Sequence, residues 1–173
     1  MNQSAGNHRA GPAIIIAVVV LLDRLTKWWI VAHLPAWDMY TIYPGVINIV
    51  HAENPGAAFG VLSEGHPALR AIVLVGISTT VLAFIARILW SAPRPTAPEP
   101  PLLRVSLALV FAGALGNLID RVWRGTVTDF VQVFIGSYEF PAFNVADSAI
   151  TMGAALLIAG LARVEILRRR GTA

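Results

Sequence analysis

The side chains with most chemical potential in this sequence are aspartates and asparagines gathered at two places late in the chain. One group ends an apolar run, Gly113-Ala114-Leu115-Gly116-Asn117-Leu118-Ile119-Asp120-Arg121, and the other begins one, Phe143-Asn144-Val145-Ala146-Asp147. Asn117 and Asp120 are three apart, as are Asn144 and Asp147, so on helices each pair shares a face. Between them lies Gly125-Thr126-Val127-Thr128-Asp129-Phe130, read as a loop. Asp23 and Lys27 form a further i, i+4 pair near the start, simplest as an ion pair, and Asp120 with Arg121 beside it is read as pairing with its neighbours. Asp129 and Asp147 differ, because no cation follows either within a helical turn. Acids without a partner in a semi-apolar setting are expected to hold their protons to higher pH, and two such acids close together can share one proton. Spacing alone leaves both roles open: a proton-sharing pair, or acids buried for structure.

Other chemistries find less support. With no Cys there is no disulfide, thiolate nucleophile or thiolate metal site. His8, His33, His51 and His66 are scattered without ligand spacing, and His51 reads as a surface or interfacial residue. No Ser stands in a Gly-x-Ser-x-Gly elbow, and no glycine-rich phosphate loop precedes a helix.

The elements that must position these acids are membrane helices. Of 173 residues, 56% are hydrophobic and 13% charged, with mean hydropathy +0.66. A soluble domain carries about 25% charged residues, so this chain has too little charge to cover a water-facing surface. The net charge of +3 is spread thinly, which argues against nucleic acid as a partner. About 20 helical residues cross a bilayer, and spans are predicted over 13–33, 68–90, 102–120 and 143–162. The first, taken alone, has the form of a secretory signal peptide, but it runs on into Asp23-Arg24-Leu25-Thr26-Lys27 without a small-x-small cleavage site and is read as retained. Arg9, Arg87, Arg94, Arg104, Arg163, Arg168, Arg169 and Arg170 fall on the side holding both termini, which is therefore cytoplasmic. Trp28, Trp29, Trp37, Trp90 and Trp123 mostly flank the spans as an interfacial belt. The cytoplasmic connection 91–101 is an extended, proline-rich linker. The exterior segments 34–67 and 121–142 contain the alternating runs Tyr40-Tyr43, Val46-Val50 and Val131-Phe134, read as strands. The predicted fold is an all-α membrane bundle of four transmembrane helices bearing a small β-rich exterior platform, one domain over 1–173. All the membrane-level acids then lie toward the exterior end. The long exterior segment is further expected to be a mobile, substrate-engaging element, bent at Pro55-Gly56 so that Asn54 faces the acids.

Taken in order, Asp23-x-x-Thr26-Lys27, Asn54-Pro55-Gly56-Ala57-Ala58-Phe59-Gly60, Gly113 to Arg121, Val127-x-Asp129-Phe130 and Phe143-Asn144-x-Ala146-Asp147 resemble the motifs of the lipoprotein signal peptidases, the type II signal peptidases of bacteria. The resemblance covers nearly the whole chain; a small departure is Ala112, where the family commonly has another glycine. It implies an aspartyl endopeptidase of the bacterial inner membrane that removes signal peptides from prolipoproteins, cutting before a cysteine that carries diacylglycerol. By this resemblance Asp129 and Asp147 are the catalytic pair. Asn54, Gly56, Asn117, Arg121, Asn144 and Ala146 bind substrate or support the site, and Asp23, Lys27, Asp120, Gly113 and Gly116 are structural or positioning. No cofactor or metal is implied; the partners are prolipoproteins and membrane lipids, and the chain is expected to be a monomer. The rival classes are a small proton-coupled membrane transporter, which calls for ionisable groups near the midplane, and a non-catalytic membrane scaffold.

Overall fold

The computed structural model describes residues 9–56, 67–91 and 101–171. Residues 92–100 of the expected linker 91–101 lie outside these residues, as do 57–66 of the exterior segment expected to move, including Ala57-Ala58-Phe59-Gly60 of the exterior motif. The element order is α1 (Ala10–His33), β1 (Met39–Tyr43), β2 (Ile47–Asn54), α2 (Pro67–Trp90), α3 (Pro101–Arg124), β3 (Val127–Ile135), β4 (Tyr138–Phe143) and α4 (Val145–Gly171).

Burial is inverted relative to a water-soluble bundle. Large apolar side chains point outward, with Phe84 65% and Ile158 68% exposed, whereas Asp23, Lys27, Asp120 and Asn144 are at most 2% exposed. A polar interior within an apolar sheath suits hydrocarbon surroundings, where every polar group must find its partner inside the protein. Three described helices are long and apolar enough to cross a membrane: Ala68–Trp90, Pro101–Arg124 and Val145–Val164. The predicted span 13–33 is a helix of equal length, 24 residues. It stands apart from those three in carrying three charged residues, Asp23, Arg24 and Lys27, close together near its middle.

Small residues let α3 and α4 approach closely. A Cβ on Gly113 would collide with the Ala146 backbone oxygen, and one on Gly116 would lie 2.8 Å from Asp23 Oδ2. Gly153 completes the seam from α4, where a Cβ would lie 2.7 Å from the Ser106 carbonyl oxygen. A smaller apolar cluster of Ile85, Leu89 and Leu107 joins α2 to α3.

One end of the bundle carries an antiparallel four-stranded sheet in the order β1-β2-β3-β4. Two boundaries differ from the sequence reading. α3 continues through Arg121 to Arg124 and is stopped by Gly125, whose φ of +78° suits a helix C-cap and whose N–H reaches the Arg121 carbonyl at 3.1 Å. α4 starts at Val145 instead of Phe143, because Phe143 ends a strand. Asp129, expected in a loop, lies in β3 opposite Ala52 of β2.

Candidate active site

The site forms where β2, β3 and the facing ends of α3 and α4 meet. Asn144 is the residue before α4, and Asp147 is in the helix's first turn. The Asp147 N–H donates to Asn144 Oδ1 at 2.9 Å, and the Asn144 N–H donates to Asp147 Oδ2 at 3.2 Å. This is a reciprocal capping box. It satisfies donors that a helix start leaves unpaired and fixes the Asp147 rotamer. The other oxygen, Oδ1, accepts from Asn117 Nδ2 of α3 at 2.7 Å.

Asp129 enters from the sheet. Its Oδ2 accepts from Asn54 Nδ2 at 3.0 Å and its Oδ1 from Asn144 Nδ2 at 2.7 Å. Asn144 thus touches both aspartates, one through its amide nitrogen and the other through its backbone N–H and amide oxygen. Asn54 is aimed by the bend expected at Pro55-Gly56: Gly56 has φ +89°, its N–H donates to Asn54 Oδ1 at 2.8 Å, and a Cβ there would collide with Leu74 of α2. Asp129 is 3% exposed, and Asp147 is half-buried. Burial pushes the Asp129 carboxyl up to about 6 and nearby Asp147 adds to the rise, against the Asn54 and Asn144 hydrogen bonds and the Lys27 charge.

Behind the pair lies a closed set of charges. Lys27 Nζ contacts Asp23 Oδ2 at 3.0 Å, Asp120 Oδ2 at 2.8 Å and Asn117 Oδ1 at 3.1 Å. Arg24 contacts Asp120 Oδ1 at 2.5 Å, Asp23 Oδ2 at 2.7 Å and the Gly116 carbonyl at 3.2 Å. Two acids and two cations cancel, which is what burial demands. The remaining Asp23 oxygen, Oδ1, accepts from the Ala146 N–H at 3.1 Å, so α1 also helps to cap α4. Asp120 pairs with α1 and not with its neighbour Arg121, because consecutive helical residues point about 100° apart. Among the described residues, Arg121 Nη1 makes one long contact, 3.5 Å, to the Asn117 carbonyl.

Sequence reasoning did not single out Arg24, although a lone guanidinium inside a span calls for an acid. It also placed His51 at a surface or interface. The ring is instead 5% exposed, with Nδ1 2.7 Å from the Leu34 carbonyl and Nε2 3.0 Å from Glu53 Oε1. Glu53 lies across the ribbon from the Asp129 face and gathers Thr126, Thr128 and Arg124 as well. Burial favours its neutral form, but the Thr126 and His51 hydrogen bonds, the Arg124 charge and the Thr128 hydrogen bond outweigh this and hold the carboxyl below its ordinary value.

The arrangement brings together Asp129, Asp147, Asn54, Asn117 and Asn144, with Asp23, Lys27 and Asp120 one layer behind. Among the described residues, no three or more His, Asp or Glu side chains are placed to share a metal ion. The family described as Signal peptidase (SPase) II matches residues 15–163. The chain belongs to the signal peptidase II family. A protein named lipoprotein signal peptidase from Solibacter usitatus is 40% identical over 152 residues, covering 86% of this chain and 88% of its own length. Another of that name, from Symbiobacterium thermophilum, is 38% identical over 162 residues, covering 93% and 99%. Among solved structures, a bacterial membrane enzyme determined by the in meso method superposes with TM-score 0.76 at 34% identity, covering 89% of this chain and 88% of that one. Signal peptidase II membership thus extends over both halves of the site, from Asp23 to Asp147.

Proposed function

We propose that this member of the signal peptidase II family is an aspartyl endopeptidase that removes signal peptides from prolipoproteins. The cut falls before the cysteine that bears diacylglycerol, and Asp129 and Asp147 are the catalytic pair. The observation that carries the reading is Asn144, a single residue hydrogen-bonded to both carboxyl groups. It brings two acids from separate elements to one point, which a purely structural role for either acid does not require.

In this reading one carboxyl of the pair holds the shared proton and directs it at the scissile carbonyl, while its ionised partner takes a proton from the attacking water. The tetrahedral intermediate collapses as that proton passes to the leaving amine. Asn54 and Asn117 orient the acids without adding charge, and Arg121 lies within electrostatic reach of both. No cofactor enters the scheme. The chain acts as a monomer in the bacterial inner membrane, with α1 as its fourth span: α1 is long enough to cross, and its charges are neutralised internally. Both termini are cytoplasmic, which places the sheet and the acids at the exterior face, where a signal helix leaves the bilayer. The substrate's lipid stays against the apolar sheath.

The test is incubation of the purified protein with a lipidated proprotein, read by gel shift and product mass. Cleavage before the lipid-bearing cysteine is expected, with loss in Asp129→Asn and in Asp147→Asn separately. Near-normal turnover in either variant would defeat the pair assignment.

A further inference from the structure

Beside the aspartates lies a cleft of about 280 Å³ lined by Pro55, Arg70, Ala71, Leu74, Arg121, Arg124, Gly125 and Thr126. Two of its residues adjoin those that hold the aspartates. Pro55 follows Asn54, which holds Asp129, and Arg121 is one turn beyond Asn117, which holds Asp147. Three arginines line this one small space; among the described residues Arg124 alone of the three is in an ion pair, with Glu53 at 3.1 Å, while Arg121 feels the acids of the site only at a distance. The buried Arg121 Nε has no hydrogen-bond partner. Among the described residues, no hydrogen bond or ion pair takes up Arg70. Arg70 also stands one turn into α2, at the positive end of the helix dipole, where a cation is disfavoured. Neither helix stability nor internal pairing accounts for it. Positive charge is concentrated here against its own interest, so the ligand it suits is an anion.

We infer that this cleft receives the carboxylate that cleavage creates at the end of the released signal peptide, with Arg70 as its principal new contact. The inference rests on the peptidase reading and follows from its chemistry. Hydrolysis adds the hydroxyl of water to the scissile carbonyl carbon and a proton to the nitrogen. The C–N bond breaks, leaving the mature chain with an amine and the signal peptide with a carboxylic acid that is ionised at neutral pH. A negative charge therefore appears on one product only, next to two aspartates that repel it. A planar guanidinium fork accepts a carboxylate through two hydrogen bonds. The cleft draws the new anion off the acids and fixes which way the substrate lies, with its signal segment toward α2 and the C-terminal end of α3.

The experiment compares a signal-segment peptide ending in a free carboxylate with the same peptide as its carboxamide. Binding to the full-length wild-type protein is measured by calorimetry in a phosphate-free sugar detergent. Turnover of a lipidated proprotein is followed separately, so absence of cleavage defeats the peptidase reading, whereas equal affinities with cleavage intact defeat only this inference. The acid is expected to bind about tenfold more tightly than the amide, which corresponds to about 1.4 kcal/mol. Arg70→Gln is expected to bring the ratio close to one. Arg70→Lys, which keeps the charge and loses the fork, gives a value in between and serves if the glutamine variant folds poorly. Equal binding of the two peptides by the wild type, or an undiminished ratio in Arg70→Gln, overturns the inference. So does titration with phosphatidylglycerol if the phospholipid binds through Arg70 and abolishes the preference, because the ligand is then a headgroup phosphate.

Discussion

Replacing Asp129 by Asn is expected to abolish cleavage and, at neutral pH, to stabilise the protein. The raised carboxyl of the folded state, about 6 against an ordinary 3.8, means that the folded protein keeps a proton which the unfolded chain has released. Between about pH 4 and pH 6 the native state binds more protons than the unfolded state, so stability falls as pH rises through that window. Above it the ionised carboxylate weighs against folding by about 3 kcal/mol. Asn carries no charge and escapes this term. It does present an NH2 group to Asn54 and Asn144, whose own NH2 groups pointed at the carboxylate, and one mismatched hydrogen bond costs about 1 kcal/mol. The net expectation is a gain of about 2 kcal/mol at pH 8, shrinking to zero or a slight loss near pH 4. The assay is thermal unfolding of wild type and variant in the same detergent from pH 4 to pH 8, with cleavage measured in parallel. A stability difference that does not change with pH, or one that turns against Asn as pH rises, would refute the reasoning.

Asn144→Ala removes the helix cap and the link between the acids; the single-turnover cleavage rate is expected to fall about 100-fold, with a stability loss of about 1 kcal/mol in thermal unfolding. Asp120→Asn strands Lys27 and Arg24 with one acid between them and is expected to cost about 3 kcal/mol or more, visible as a lower folded yield and midpoint. A chelator is expected to leave turnover intact; loss restored by Mg²⁺ or Mn²⁺ would overturn the two-aspartate mechanism. Gly113→Ala drives a methyl into the Ala146 backbone and is expected to cost about 2 kcal/mol or more, whereas Gly76→Ala, with nothing within 4 Å of its added methyl, is neutral or slightly stabilising by unfolding midpoint.

The sequence was most legible where the physics is local and unforgiving. Charges inside apolar runs drew attention to Asp23, Lys27, Asp120 and Asp147, and alternation gave β1, β2 and β3. β4 escaped notice because Tyr138-Glu139-Phe140-Pro141-Ala142-Phe143 holds a charge and a proline, and its strand character comes from pairing with β3. The partner of Asp120 was misread for a related reason. A neighbour in sequence is obvious on paper, whereas Arg24 lies on another helix, and only the packing of α1 on α3 brings them together. The burial of His51 is likewise set by the Leu34 carbonyl at the end of α1, which no spacing rule links to it.

The capping box at Asn144 bears on how the protein comes into being. Asp147 is held in its working rotamer by the start of α4, and that start is completed by Asp23 from α1, the first helix, through the Ala146 N–H. The site therefore depends on the first and the last of the described helices at once. While the chain is still emerging into the bilayer, the earlier spans and Asp129 are already present, but the second acid is missing and its cap unmade. On the two-aspartate reading proposed above, cleavage is switched on only by the docking of α4, so a half-inserted chain does not cut its neighbours.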